Sequence, residues 1–269
     1  SIRRWMLFLP VKLFTLWNIH LLWLLERWQT ASGPHVRAWL AALGETEALA
    51  ALATLHHDHP DWCFPAIEEA GGDACAPVGA GGDACAPKPQ VRAVNLAHPL
   101  LPPAKAVGND VTVGPPGTFL LVTGSNMSGK STLLRALGLN CVLAQMGAPV
   151  CATSLALPPV HVASSMRVQD SLAGGVSYFL AELQSLKAIV DVAEQKTSSE
   201  RLARSEDAAP ILLYLLDEIL QGTNSAERQI AARHIIRRLV DSDAIGAVST
   251  HDLTLAAAPE LVPAAVSVH

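Results

Sequence analysis

The stretch Gly124-Ser125-Asn126-Met127-Ser128-Gly129-Lys130-Ser131-Thr132 has the spacing G-x-x-x-x-G-K-S, and few folds can use it. The apolar run before it, residues 118–122, reads as a short buried strand, and residues 133–137 after it read as the start of a helix. Strand, loop and helix in that order aim successive backbone N–H groups into one concavity at the positive end of the helix, where phosphate oxygens fit. Gly124 and Gly129 permit backbone angles and a close approach that a side chain would block. Lys130 is expected to reach the β- and γ-phosphates of a nucleotide as a point charge, and the Ser131 hydroxyl to ligate Mg2+. Residues 124–132 are therefore the candidate nucleotide-phosphate contacts.

A second apolar run, residues 211–216, ends in Asp217-Glu218. A buried strand of a parallel sheet delivers its C-terminal end to the ligand crevice. Asp217 is expected to hold Mg2+ opposite Ser131, and Glu218 to orient the attacking water. A third strand-like run, residues 245–248, leads into Ser249-Thr250-His251, and His251 is a candidate γ-phosphate contact.

The rest of the chain sets the frame. Its 269 residues suffice for one large domain or two modest ones, and with half of them hydrophobic and 16% charged a sizeable core is expected. The net charge of -5 argues against a broad nucleic-acid-binding surface on this segment. Five cysteines form no tight framework, so a reduced, cytoplasmic setting is expected. Ser1 at one end and an apolar run at the other read as a piece of a longer chain.

Residues 1–69 read as a helical segment. Trp and Leu dominate residues 1–28, which fit a packed amphipathic helix or, in the alternative, a membrane-associated one. Residues 34–55 repeat apolar positions at helical spacing, with Gly44 as an expected break. His56, His57, His59 and Cys63 match no compact zinc ligand set and read as a polar loop. Residues 70–90 carry Ala-Gly-Gly-Asp-Ala-Cys-Ala-Pro twice, a linker composition; a Cys75–Cys85 disulfide, or a metal site with Cys63, is the alternative. Residues 91–269 then hold short strand-like pieces over 91–113, the phosphate loop, a helix to about Gln145, short strands at 150–152 and 160–163, an amphipathic helix over 177–195 and a polar stretch over 196–209 that reads as a loop or a fraying helix end.

Over residues 91–269 the chain resembles the MutS family of DNA mismatch-repair ATPases, within the ABC-type ATPase class. The residues that carry the resemblance are the loop 123–132 with its Asn126-Met127 pair, the segment Gly175-Val176-Ser177-Tyr178-Phe179-Leu180-Ala181-Glu182, the run Asp217-Glu218-Ile219-Leu220-Gln221-Gly222-Thr223-Asn224, and Ser249-Thr250-His251. His98-Pro99-Leu100 and Asn109-Asp110-Val111 resemble the family's approach to that domain. Ser125 and Ser128 stand where the family commonly has Pro and Gly, and Ala106 and Val107 where it has an aromatic that stacks on adenine.

The resemblance implies an α/β fold: a P-loop NTPase domain with a mixed or parallel sheet and flanking helices, preceded by an α-helical segment. It implies Mg-ATP hydrolysis in a homodimer in which Ser177 reaches the nucleotide of the other subunit. It implies DNA contact through parts of the parent chain that are not visible here, with hydrolysis coupled to conformational switching on DNA. A membrane-tethered, nucleotide-gated scaffold is the alternative. An ABC-type transporter subunit is disfavoured by the missing Leu-Ser-Gly-Gly-Gln segment, and a GTP switch by the missing guanine-reading segment.

Overall fold

A computed structural model describes residues 16–68, 88–125, 128–166, 178–202, 210–220, 225–251, 258–259 and 261–268. By backbone contacts the chain divides into two units, residues 1–54 and 55–269. The expected linker falls outside the described residues apart from 88–90, and Cys75 and Cys85 lie outside them too.

The first element is helix α1, Trp17–Asp58, 42 residues long. At 1.5 Å per residue it extends about 63 Å. It runs through Gly44, where a break was expected, and through Pro34. No residue of α1 is buried. Trp17, Ile19, Leu22, Trp23 and Leu25 are all more than half exposed and do not fall on one face. By length and composition α1 is, among the described residues, the helix long and apolar enough to cross a membrane. After it the chain turns through ring contacts: His59 stacks on Trp62 at 4.2 Å, and His56 meets Phe64 at a tilt, at 5.0 Å. Those contacts occupy two of the three histidines weighed as metal ligands.

The α/β unit holds two sheets. The smaller joins β1 (Ala66–Ile67), β2 (Val91–Leu96), β3 (Asn109–Val113) and β5 (Ser154–Leu157) in the order β1-β5-β2-β3. It is mixed: β1 runs parallel to β5, while β2 is antiparallel to both β5 and β3. The larger sheet joins β4 (Phe119–Thr123), β6 (Val160–Ser165), β7 (Ile211–Asp217), β8 (Ile245–Thr250) and β9 (Ala265–Val268) in the order β6-β7-β8-β4-β9. All its pairings are parallel.

A parallel sheet is covered on both faces, so its strands are apolar throughout rather than alternating. All five residues of β4 and all six of β8 are buried. Side-chain alternation divides them between two apolar clusters. Leu120, Val122, Leu213, Leu215 and Ala247 face helix α2 (Lys130–Gln145) and the smaller sheet, meeting Leu134, Leu137 and Cys141. Phe119, Leu121, Tyr214, Leu216 and Val248 face the other way, onto Leu186 and Ile189 of α3 (Tyr178–Leu202) and Ile236 and Leu239 of α4 (Ser225–Asp241). Burying a leucine of this kind contributes about 2 kcal/mol.

Asn140, fully buried on α2, braces the loop regions around it. Its amide donates to Ala97 O at 3.0 Å and Ala136 O at 2.8 Å, and its oxygen accepts from Cys151 N–H at 2.7 Å. The neighbouring Cys141 thiol, sealed in the core, is pushed up to about 12 by burial. Helix α3 continues to Leu202, into the polar stretch that reads as a loop or a fraying helix end.

Candidate functional site

Three strand ends lie flush. Val122 pairs with Ser249 and Thr123 with Thr250, while Asp217 pairs with Ser249 from the other side. The C-terminal ends of β4, β8 and β7 thus open on one rim, which is where parallel α/β sheets bind ligands. The loop 124–129 leaves β4 at that rim and enters α2.

The loop geometry follows from its glycines. Gly124 has φ 150° and Gly129 φ 91°, both in the region that side chains rarely adopt. At Gly124 a Cβ would stand 2.8 Å from Ser128 Oγ, so the loop closes on itself there. Gly129 caps the 16-residue helix α2 and makes no side-chain hydrogen bond to its first turn. Lys130 is 7% exposed, and its Nζ donates to Gly124 O at 2.9 Å and Ser125 O at 2.8 Å. The ammonium therefore lies inside the loop. Thr132, Ser125 and Ser128 are exposed. Asn126 and Met127 lie outside the described residues, as does Ser177.

Ser131 and Asp217, 86 residues apart, meet: the Ser131 hydroxyl donates to Asp217 Oδ1 at 2.9 Å. The Ser249 hydroxyl donates to the same oxygen. Ser249 also receives the Glu218 N–H, at 3.2 Å on its hydroxyl and 3.1 Å on its carbonyl oxygen. Glu218 sits at φ 48° and Leu220 at φ 61°, left-handed values for residues that are not glycine. Each such residue costs on the order of 1–3 kcal/mol and persists where the surroundings hold it. Glu218 Oε1 stands 3.7 Å from His251 Nδ1, with the two side chains 28% and 50% exposed. The candidate residues Lys130, Ser131, Asp217, Glu218 and His251 are thus gathered on one rim.

Two residues here escaped the sequence reading as site members. Ser249 holds the Asp217 carboxylate and the Glu218 backbone N–H; its signal was a hydroxyl at the end of the strand next to the Asp-Glu pair. Glu182, on α3, is 4% exposed and accepts the Leu220 N–H. Burial pushes its carboxyl up from the ordinary glutamate range, and the Leu220 N–H works against that shift. Its signal was an acid among the apolar positions of a helix.

The donor set suits a hard cation. Ser131 and Asp217 offer oxygen ligands beside a helix start, which is the chemistry of Mg2+ carried by phosphates.

A family model described as MutS domain V matches residues 120–269, more than half of the chain. The chain is also similar to a protein named DNA mismatch repair protein MutS 2 from Haloarcula marismortui, 37% identical over 165 residues. That match covers 58% of this chain and 16% of the relative, so the chain spans a small part of that protein's length.

Proposed function

For a chain that belongs to the MutS family, we propose that the α/β unit is a P-loop, ABC-type ATPase domain that binds and hydrolyses Mg-ATP. The observation that carries this reading is the Ser131–Asp217 hydrogen bond at the mouth of the 124–129 loop. It joins the start of a helix to the end of a distant strand, and both donate oxygens toward the same spot.

In this reading the N–H groups of the loop and of the first turn of α2 hold the β- and γ-phosphates. Lys130 adds charge to the γ-phosphate as charge develops there. Mg2+ would be held by Ser131 and by Asp217, and when bound it neutralises phosphate charge. Glu218 orients the attacking water and takes its proton, with His251 beside the γ-phosphate. The loop residues 124–132, Asn126 and Met127 included, contribute the remaining ATP contacts.

Two such domains pair as a homodimer, and Ser177 of one completes the nucleotide site of its partner. In the parent protein, hydrolysis drives conformational switching on DNA, which is contacted by other parts of that protein. The name of the Haloarcula relative, a DNA mismatch repair protein, supports a role on DNA.

The test is phosphate release and ATP binding by the intact protein. Lys130→Ala is expected to abolish binding. Glu218→Gln is expected to bind ATP and turn over about 100-fold more slowly. Turnover by Glu218→Gln at the parent rate would remove Glu218 from the role given to it. Stimulation by mismatched or branched DNA supports the DNA-coupled reading, and a rate indifferent to both counts against it.

A further inference from the structure

We propose that Glu182 is a positioning residue for this site: its carboxyl anchors the turn 218–220 and so fixes where the Glu218 carboxylate stands. The inference rests on the ATPase reading above and adds to it a residue from a different element.

The geometry has three parts. The turn after β7 needs two left-handed residues, Glu218 and Leu220, with neither a glycine. Such a turn is held or it relaxes. Its first residue is tied to Ser249 through the Glu218 N–H. Its last is tied to α3 through the Leu220 N–H, which Glu182 Oε1 accepts. Glu218 therefore sits close to two pins, one from β8 and one from α3.

The burial of Glu182 marks its role as more than filling space. It lies on the apolar side of α3 with Leu186, near the fully buried Leu220, and its own side chain is 4% exposed. Glu182 Oε2 has no hydrogen-bond partner among the described residues. A leucine or methionine would fill that volume without desolvating a carboxyl. What neither could do is accept the Leu220 N–H, which would then be buried without a partner.

The experiment compares Glu182→Ala and Glu182→Gln in the intact protein by steady-state hydrolysis, equilibrium binding of a fluorescent ATP analogue and thermal melting. Glutamine keeps an acceptor oxygen and alanine does not. Glu182→Ala is expected to lower kcat by about 10- to 100-fold while leaving analogue affinity near that of the parent. Glu182→Gln is expected to restore most of the turnover. An alanine variant with the parent kcat overturns the inference. So does one that loses affinity and turnover together, which is the pattern of a merely structural residue, and so does a glutamine variant as slow as alanine. A parent protein that neither binds nor hydrolyses ATP sinks the ATPase reading and this inference with it. An active parent matched by its alanine variant sinks this inference alone.

Discussion

Asp217 Oδ1 accepts two hydroxyls, one from Ser131 on α2 and one from Ser249 on β8. The two donors have different consequences. Ser131 stands at the helix start, where a metal carried by phosphates would sit, while Ser249 stands within the sheet rim. Ser131→Ala should therefore act on the metal rather than the fold. Its expected effect is a roughly tenfold rise in the Mg2+ concentration needed for half-maximal turnover. The melting temperature should stay near that of the parent, because Ser249 still donates to Asp217. A Mg2+ titration of phosphate release checks the first part and a thermal melt the second. At this scale the sequence was legible where chemistry is written in spacing. That the loop and the Asp-Glu pair would meet on one rim could be read, because each follows a continuous apolar strand and so lies at a strand's C-terminal end. Ser249 and Glu182 could not, because their roles depend on which strand and helix lie beside β7.

Among the elements, β8 is the most tightly seated. Gly246 pairs with Tyr214 on one side and Phe119 on the other. A Cβ at Gly246 would run into the Tyr214 ring and would stand 2.5 Å from the Tyr214 carbonyl oxygen. Here the glycine makes room for an aromatic that is itself fully buried. Gly246→Ala should cost about 3 kcal/mol and lower the melting temperature by roughly 5–10 °C. A calorimetric scan of the variant against the parent measures it. The strands of the larger sheet were legible because double-sided burial makes them continuous apolar runs. The smaller sheet was legible in part: the strand-like pieces over 91–113 are β2 and β3, whereas β1 has two residues and its partner β5 lies far along the chain. Helix α1 misled in another way. Gly44 is a weak helix former rather than a stop, and with nothing within 4 Å of its Cβ position the helix continues through it. At the polar end of α3, helix propensity outlasts the apolar pattern.

At the scale of the molecule, both apolar clusters draw on residues of the α/β unit alone. That unit has a core on each face of its parallel sheet, whereas α1 buries none of its own side chains. Residues 55–269 produced alone should therefore fold and melt cooperatively, within a few degrees of the transition that the whole chain shows for this unit. Circular dichroism at matched concentrations checks this, and a broad or missing transition would count against it. The division by backbone contacts falls between residues 54 and 55, inside α1, where composition marks no boundary, and the Gly/Ala/Pro stretch over 70–90 that reads as the linker lies outside the described residues apart from 88–90.

The flush ends of β4, β7 and β8 carry one more consequence. A sheet buried on both faces and hydrogen-bonded across every neighbouring strand is stiff, since bending it breaks ladder bonds and opens voids on two sides at once. The rim that gathers Ser131, Asp217, Glu218 and His251 is thus the fixed jaw of a vice. Work done on a phosphate there cannot be absorbed by the anvil beneath it.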